Sequence, residues 1–177
     1  KGYEEGMKLI SKLVKNISFK KSLLISSTRV YRDSEEPINE LSNVNSEDFR
    51  AKSLLESEAI YSKGINSSQK TIFRLSGLYD PEMKDKIFYR QVDEFQNKLI
   101  PISANLNRLS RDQAARIIMN FCINKTDLLL LNVSEPTVLA QERFKMLFPE
   151  KNFDDFFRID NPGKQLDISN LLKSKLL

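Results

Sequence analysis

The chain has no histidine and no tryptophan, one cysteine and five glycines in 177 residues. Without histidine a Ser-His-Asp triad cannot be assembled. A zinc site of the usual cysteine and histidine donors is nearly excluded as well. Cys122 has no second cysteine to pair with, which fits a reducing compartment. The glycines never fall into a Gly-x-Gly-x-x-Gly or Gly-x-x-Gly-x-x-Gly arrangement. The close-approach turn on which a dinucleotide pyrophosphate is held is therefore missing from this sequence. No apolar run nears the ~20 residues that span a bilayer. Residues 1–22 carry several lysines and no continuous apolar stretch, so no secretion signal is read there. These absences predict a cytoplasmic protein with no membrane partner.

What is present describes an ordinary globular chain. Forty per cent of residues are hydrophobic and 29% are charged, enough for one domain with a real core. The net charge of +4 is mild. Its densest patch, Lys8, Lys12, Lys15, Lys20 and Lys21, falls on one helix face and the loop after it. No reading motif or stacking platform accompanies it, so it reads as a solvated face and no nucleic-acid partner is expected. The first residue is Lys1 rather than methionine, and the expectation is a chain whose native start lies elsewhere.

Tyr3, Met7, Ile10, Val14 and Ile17 recur at spacings of three and four, predicting a helix over residues 3–17 with these on one face. Leu23, Leu24 and Ile25 form a short apolar run, as for a strand buried on both faces. Residues 32–46 are polar and read as a loop. Ser46 is a candidate cap for a helix reaching about Lys63, with Glu47 and Asp48 in its first turn and Phe49, Leu55, Ala59 and Ile60 inward. Gly64 suits its end. Residues 70–75 predict the next strand, and Pro81 opens a helix over residues 82–97. Ser110 with Gln113 has the pattern of a capping box ahead of a helix that buries Ala114, Ile117, Ile118, Phe121 and Cys122. Residues 127–133 read as another buried strand, 137–148 as a helix, 150–165 as irregular and 166–177 as helical. Helices alternating with apolar strands predict an α/β layered fold.

Two segments carry more than periodicity. Residues 22–31 read Ser-Leu-Leu-Ile-Ser-Ser-Thr-Arg-Val-Tyr, and residues 74–81 read Arg-Leu-Ser-Gly-Leu-Tyr-Asp-Pro. In order and spacing they resemble the second half of the extended short-chain dehydrogenases, the NAD(P)-dependent epimerase and dehydratase family. The resemblance implies a Rossmann-like fold, here a partial parallel sheet flanked by helices. Residues 1–81 would be its second half, and 82–177 a mixed α/β region on the substrate side. It implies NAD or NADP as cofactor and a small-molecule substrate, a nucleotide sugar or related carbonyl compound. A homodimer is left open.

The resemblance also implies roles. Ser27 takes the place of the hydroxyl that hydrogen-bonds the reacting oxygen. Lys52 takes that of the lysine which holds the cofactor ribose and lowers the pKa of a tyrosine one turn earlier. At that earlier position stands Asp48, with a far lower reference pKa than tyrosine and a shorter reach. Ser26, Leu75 and Ser76 would line the cofactor. Tyr31, Gly77, Tyr79 and Arg108 would line the substrate, Arg108 (or Arg111) as a bidentate partner for phosphate. Two functional readings follow. One is part of an NAD(P)-dependent epimerase, dehydratase or reductase whose glycine-rich half is supplied by the same polypeptide. The other is a catalytically silent cofactor-sensing or interaction module, or a truncated remnant, of the same fold. A half sheet left with an open edge would also tend to assemble through it.

Overall fold

Three parallel strands form the centre of the computed structural model, which describes residues 2–80, 100–101, 104–152, 157–158 and 163–177. In chain order its elements are α1 (Gly2–Leu13), β1 (Phe19–Ser27), α2 (Phe49–Gly64), β2 (Ser67–Leu75), β3 (Gly77–Tyr79), β4 (Ile100–Pro101), β5 (Asn105–Leu106), β6 (Arg108–Ser110), α3 (Arg111–Ile123), β7 (Leu130–Val133), β8 (Val138–Leu139), α4 (Ala140–Leu147), β9 (Phe157–Arg158) and α5 (Ser169–Lys173). The main sheet runs β1-β2-β7. Ser26 lies opposite Arg74, and Arg74 opposite Asn132. Three two-stranded pairs surround it: β3 with β6, β4 with β9 and β5 with β8.

Position in the sheet decides burial. β2 has a neighbour on each side, and Thr71 through Leu75 are all buried. β1 has a partner on one side only among the described residues. The apolar run that predicted a strand buried on both faces is corrected there: Ile25 is 37% exposed, and Leu23 and Leu24 are half-buried. Among the described residues the outer edge of β7 is met by a side chain and not by a strand. Glu40, from the loop after β1, accepts the Asn132 amide at 2.8 Å through one carboxylate oxygen and Asn170 Nδ2 at 2.8 Å through the other. That loop is tied down by a parallel bridge between Ile38 and Leu166.

The helices differ in part from their predicted faces, and in α2 it is because polar partners compete for the inward side. α1 ends at Leu13, short of the expected residue 17. Met7 is buried and Val14 packs beside it, while Tyr3, Ile10 and Ile17 remain exposed. α2 starts two residues later than Ser46 would have it. Asp48 is its cap, accepting the Ala51 amide at 3.0 Å. Phe49 and Ala59 face outward instead of inward. The buried side of α2 holds Ala51, Ser57, Glu58 and Tyr61, because Glu58 reaches Arg74 and Tyr61 OH meets Ser22 Oγ at 2.8 Å. Gly64 closes α2 where a Cβ would stand 1.9 Å from Ser11 Oγ of α1.

α3 is capped as predicted, with Ser110 Oγ accepting the Gln113 amide at 3.2 Å. Ala114, Ile117 and Phe121 are buried, and Phe121 sits edge-on to Phe73 with ring centres 5.5 Å apart. Cys122, expected inside, is exposed, because the buried stripe of α3 is narrower than the apolar one. Lys21 of β1 satisfies the open end of α3, donating to the carbonyls of Phe121, Cys122 and Asn124 at 2.9, 3.0 and 2.6 Å. The helix expected over residues 82–97 lies outside the described residues. The expected helix over 137–148 is shortened to α4 because Val138–Leu139 pairs with β5, and the expected tail helix is reduced to α5.

Candidate functional site

Parallel strands end on the same side, and in open α/β sheets ligands bind in the crevice outside those ends. Here the last row is Ser27, Leu75 and Val133, in register across β1, β2 and β7. Ser27 Oγ accepts the Arg29 amide at 3.2 Å, beginning a single 3₁₀ turn over Thr28–Val30. Its own proton is left for another acceptor. Leu75 is buried in the core, and Ser76 follows it with its amide bonded to Val133 O at 3.0 Å. Ser76 Oγ is buried and has no hydrogen-bond partner among the described residues.

Directly beneath this row lies a buried polar network. Ser26 Oγ donates to Glu58 Oε1 at 2.5 Å. Arg74 forks onto the same carboxylate, Nε to Oε1 at 3.0 Å and Nη2 to Oε2 at 2.6 Å. The guanidinium also lies 4.8 Å from the ring centre of Tyr31, whose hydroxyl donates to Asn132 Oδ1 at 2.7 Å. Burial pushes the Tyr31 phenol above its ordinary pKa, against a smaller opposing pull from the Arg74 charge. For Arg74 burial alone would act downward, but Glu58 and Tyr31 hold the guanidinium above its usual value. These groups are committed to each other.

A second cluster stands on β3 and β6. Gly77 is paired with Arg108, and a Cβ at Gly77 would come within 2.8 Å of Arg108 Nη1. Tyr79 OH donates to Glu135 Oε2 at 2.9 Å, and Glu135 Oε1 accepts the Ser110 amide at 2.9 Å. Arg143 lies over the Tyr79 ring, 5.5 Å from its centre. Tyr79, Arg108, Glu135 and Arg143 line a cavity of about 40 Å³.

The residues expected at the site thus fall into three groups. Ser26, Ser27, Leu75 and Ser76 gather at the strand ends, with Tyr31 wholly buried behind them. Gly77, Tyr79 and Arg108 gather beside them on the small β3–β6 pair. Lys52 joins neither. It is exposed on the side of α2 that also carries Ala59 and Lys63, and its ammonium has no partner among the described residues. Asp48, one turn earlier, is occupied by the Ala51 amide and by Arg29 Nε at 3.3 Å. Sequence reading missed Glu58, Asn132 and Glu135. Two of these left a trace. Glu58 follows Ala51 by seven residues and so shares its inward face, and Asn132 interrupts a leucine run in a buried strand.

No family model and no curated protein matches the sequence. Solved structures match the fold over nearly the whole chain. A protein assigned as an NAD-dependent epimerase/dehydratase from Methylobacillus flagellatus is 24% identical over 96% of this chain and 63% of its own, with a TM-score of 0.70. UDP-glucuronic acid 4-epimerase from Bacillus cereus, in complex with UDP-glucuronic acid and NAD, is 17% identical over 95% and 59%, with a TM-score of 0.70. UDP-N-acetylglucosamine 4-epimerase from Methanobrevibacter ruminantium is 16% identical over 96% and 61%, with a TM-score of 0.71. The chain therefore spans less than two thirds of the proteins it matches. At these identities the likeness concerns backbone architecture. The chain carries a Rossmann-like fold, the one these NAD-dependent epimerases and dehydratases have.

Proposed function

We propose that this chain forms the substrate-facing part of an NAD(P)-dependent protein of the epimerase, dehydratase or reductase kind. Its substrate class would be a nucleotide sugar or a related carbonyl compound. The observation that carries the reading is the convergence of Ser27 and Ser76 at the carboxyl ends of three parallel strands, in a fold shared with an enzyme solved with NAD and UDP-glucuronic acid. Bound NAD(P) supplies hydride transfer. Ser27 Oγ and the unpartnered Ser76 Oγ fit the nicotinamide and substrate end of such a site. The pyrophosphate end finds no fit in this chain, whose glycines offer no close-approach turn. Ser26 and Tyr31 would support the site from behind, through Glu58, Arg74 and Asn132. Gly77 leaves the Arg108 guanidinium room beside Tyr79, where a substrate phosphate would be met by a planar donor fork.

A second reading has its own observation. Proton transfer by a tyrosine-lysine pair needs both groups turned to the substrate. Here Asp48 is a helix cap and Lys52 stands on the outward side of α2. This favours a protein that binds without turning over. Titration of the full polypeptide with NAD and NADP, followed by assay against a panel of UDP- and dTDP-sugars, separates the two. The enzyme reading expects saturable cofactor binding and turnover that falls about a hundredfold in Ser27→Ala. Saturable binding with no turnover of any panel member supports the silent relative. Failure to bind either cofactor sinks both.

A further inference from the structure

We propose that the cavity between β3, β6 and the start of α4 is an oxyanion site, in which Arg143 joins Arg108 to clasp one carboxylate or phosphate group of the ligand. The site rests on the reading of the strand ends as a substrate crevice, and it names a group that the substrate must carry. Three observations meet there. First, two guanidiniums reach one small space from different elements. Arg108 stands on β6 and Arg143 near the start of α4, and both line the cavity of about 40 Å³ beside Tyr79. Arg143 is steered there by the Tyr79 ring, whose centre is 5.5 Å away. Gly77, paired with Arg108, keeps the other guanidinium's place free, since a Cβ would stand 2.8 Å from Nη1.

Second, neither guanidinium has an ion-pair or hydrogen-bond partner among the described residues, although both residues are half-buried. Other shielded cations of the chain are matched, Arg74 with Glu58 and Lys164 with Asp33. Glu135, the carboxylate among the lining residues, is spent elsewhere. Its Oε2 accepts Tyr79 OH and its Oε1 the Ser110 amide, each at 2.9 Å. Two cations against one anion leave the wall positive, with both donor forks unfilled.

Third, size and place fit one group of a larger ligand. A water needs about 10–15 Å³ of such space, so the cavity takes about three atoms of that size. A carboxylate enters, or one phosphate edge-on, but not a whole diphosphate. A planar guanidinium offers such a group two parallel N–H donors. Glu135 follows Val133, the last residue of β7, by two positions, and Tyr79 follows Leu75 of β2 by four. The cavity thus lies within about 14 Å of the strand ends, a span that a nucleotide sugar covers.

Calorimetry on the full polypeptide, with UDP-glucuronic acid, UDP-glucose and inorganic phosphate as probes, tests the site. Arg143→Gln should weaken UDP-glucuronic acid about tenfold to a hundredfold, as for the loss of a charged hydrogen-bond partner. Arg143→Lys, which keeps the charge but not the fork, should recover only part of this. Gly77→Ala should weaken it too, by pushing the Arg108 guanidinium aside. Cofactor titration of Arg143→Gln should stay parental, which separates lost binding from lost folding. A loss confined to UDP-glucuronic acid supports the site with the sugar carboxylate as its ligand. An equal loss with UDP-glucose supports it with a phosphate. Parental affinity for both sugars in Arg143→Gln overturns it. If the parent binds neither sugar, the reading of the strand ends fails and inorganic phosphate decides the cavity by itself. Saturable phosphate binding that Arg143→Gln weakens keeps the site, and its absence overturns it.

Discussion

Glu58 holds three hydrogen bonds at once, from Ser26 Oγ, Arg74 Nε and Arg74 Nη2, while both charged side chains are less than a tenth exposed. A buried pair of this kind adds little over an apolar pair of the same volume, but breaking one half strands the other charge. Glu58→Ala should therefore destabilise the protein by about 3–5 kcal/mol in urea unfolding. The combined Glu58→Leu and Arg74→Met change should cost much less than the two single changes added together. Additive losses in that cycle would show that the two residues do not act as a unit. The consequence reaches the candidate site. Ser26 loses its acceptor in the first variant, and Arg74 is freed from the carboxylate beside the Tyr31 ring.

At the scale of elements, the start of α2 carries a pH dependence. The Ala51 amide, with Arg29 beside it, holds the Asp48 carboxyl below its ordinary pKa. A carboxyl depressed in the folded state contributes stability above its unfolded pKa and loses it as pH falls through the folded value. In Asp48→Ala the thermal midpoint should drop at neutral pH and converge with the parent in acid. Asp48→Asn should keep most of the cap and flatten the acid limb. A parent-like midpoint for Asp48→Ala at pH 7 would show that the bond to the Ala51 amide adds nothing to stability. The same helix shows how far sequence reading reaches. The order of helices and strands was legible from apolar period and caps, since Ser110, Gly64 and the 70–75 run all stand where their chemistry predicts. The inward face of α2 was not. Periodicity counts apolar residues, and here Ser57, Glu58 and Tyr61 go inside because β1 and β2 offer Ser22, Ser26 and Arg74 as partners. Those partners come from distant parts of the chain, so no local window contains the signal. At the site, Ser27 and Ser76 were legible as strand ends. The outward placement of Lys52 was not, because it depends on where Asp48 fixes the first turn of the helix.

For the molecule as a whole, the two edges of the sheet differ in kind, and Glu40 makes the difference. Its carboxylate sits where a neighbouring strand would offer carbonyls, bonded to the Asn132 amide on β7 and to Asn170 on α5. It thereby joins the loop after β1 to the C-terminal segment and caps the last strand of the sheet among the described residues. Removing the acceptor leaves a partly buried amide unpaired, which costs about 1–3 kcal/mol, and turns β7 into a second pairing template. Glu40→Ala should lower stability by that order and raise the concentration dependence of sedimentation. Glu40→Gln, which keeps one carbonyl oxygen for Asn132, should restore most of both. If Glu40→Ala unfolds at the parental midpoint and sediments as the parent does, the edge of β7 is closed by something other than Glu40.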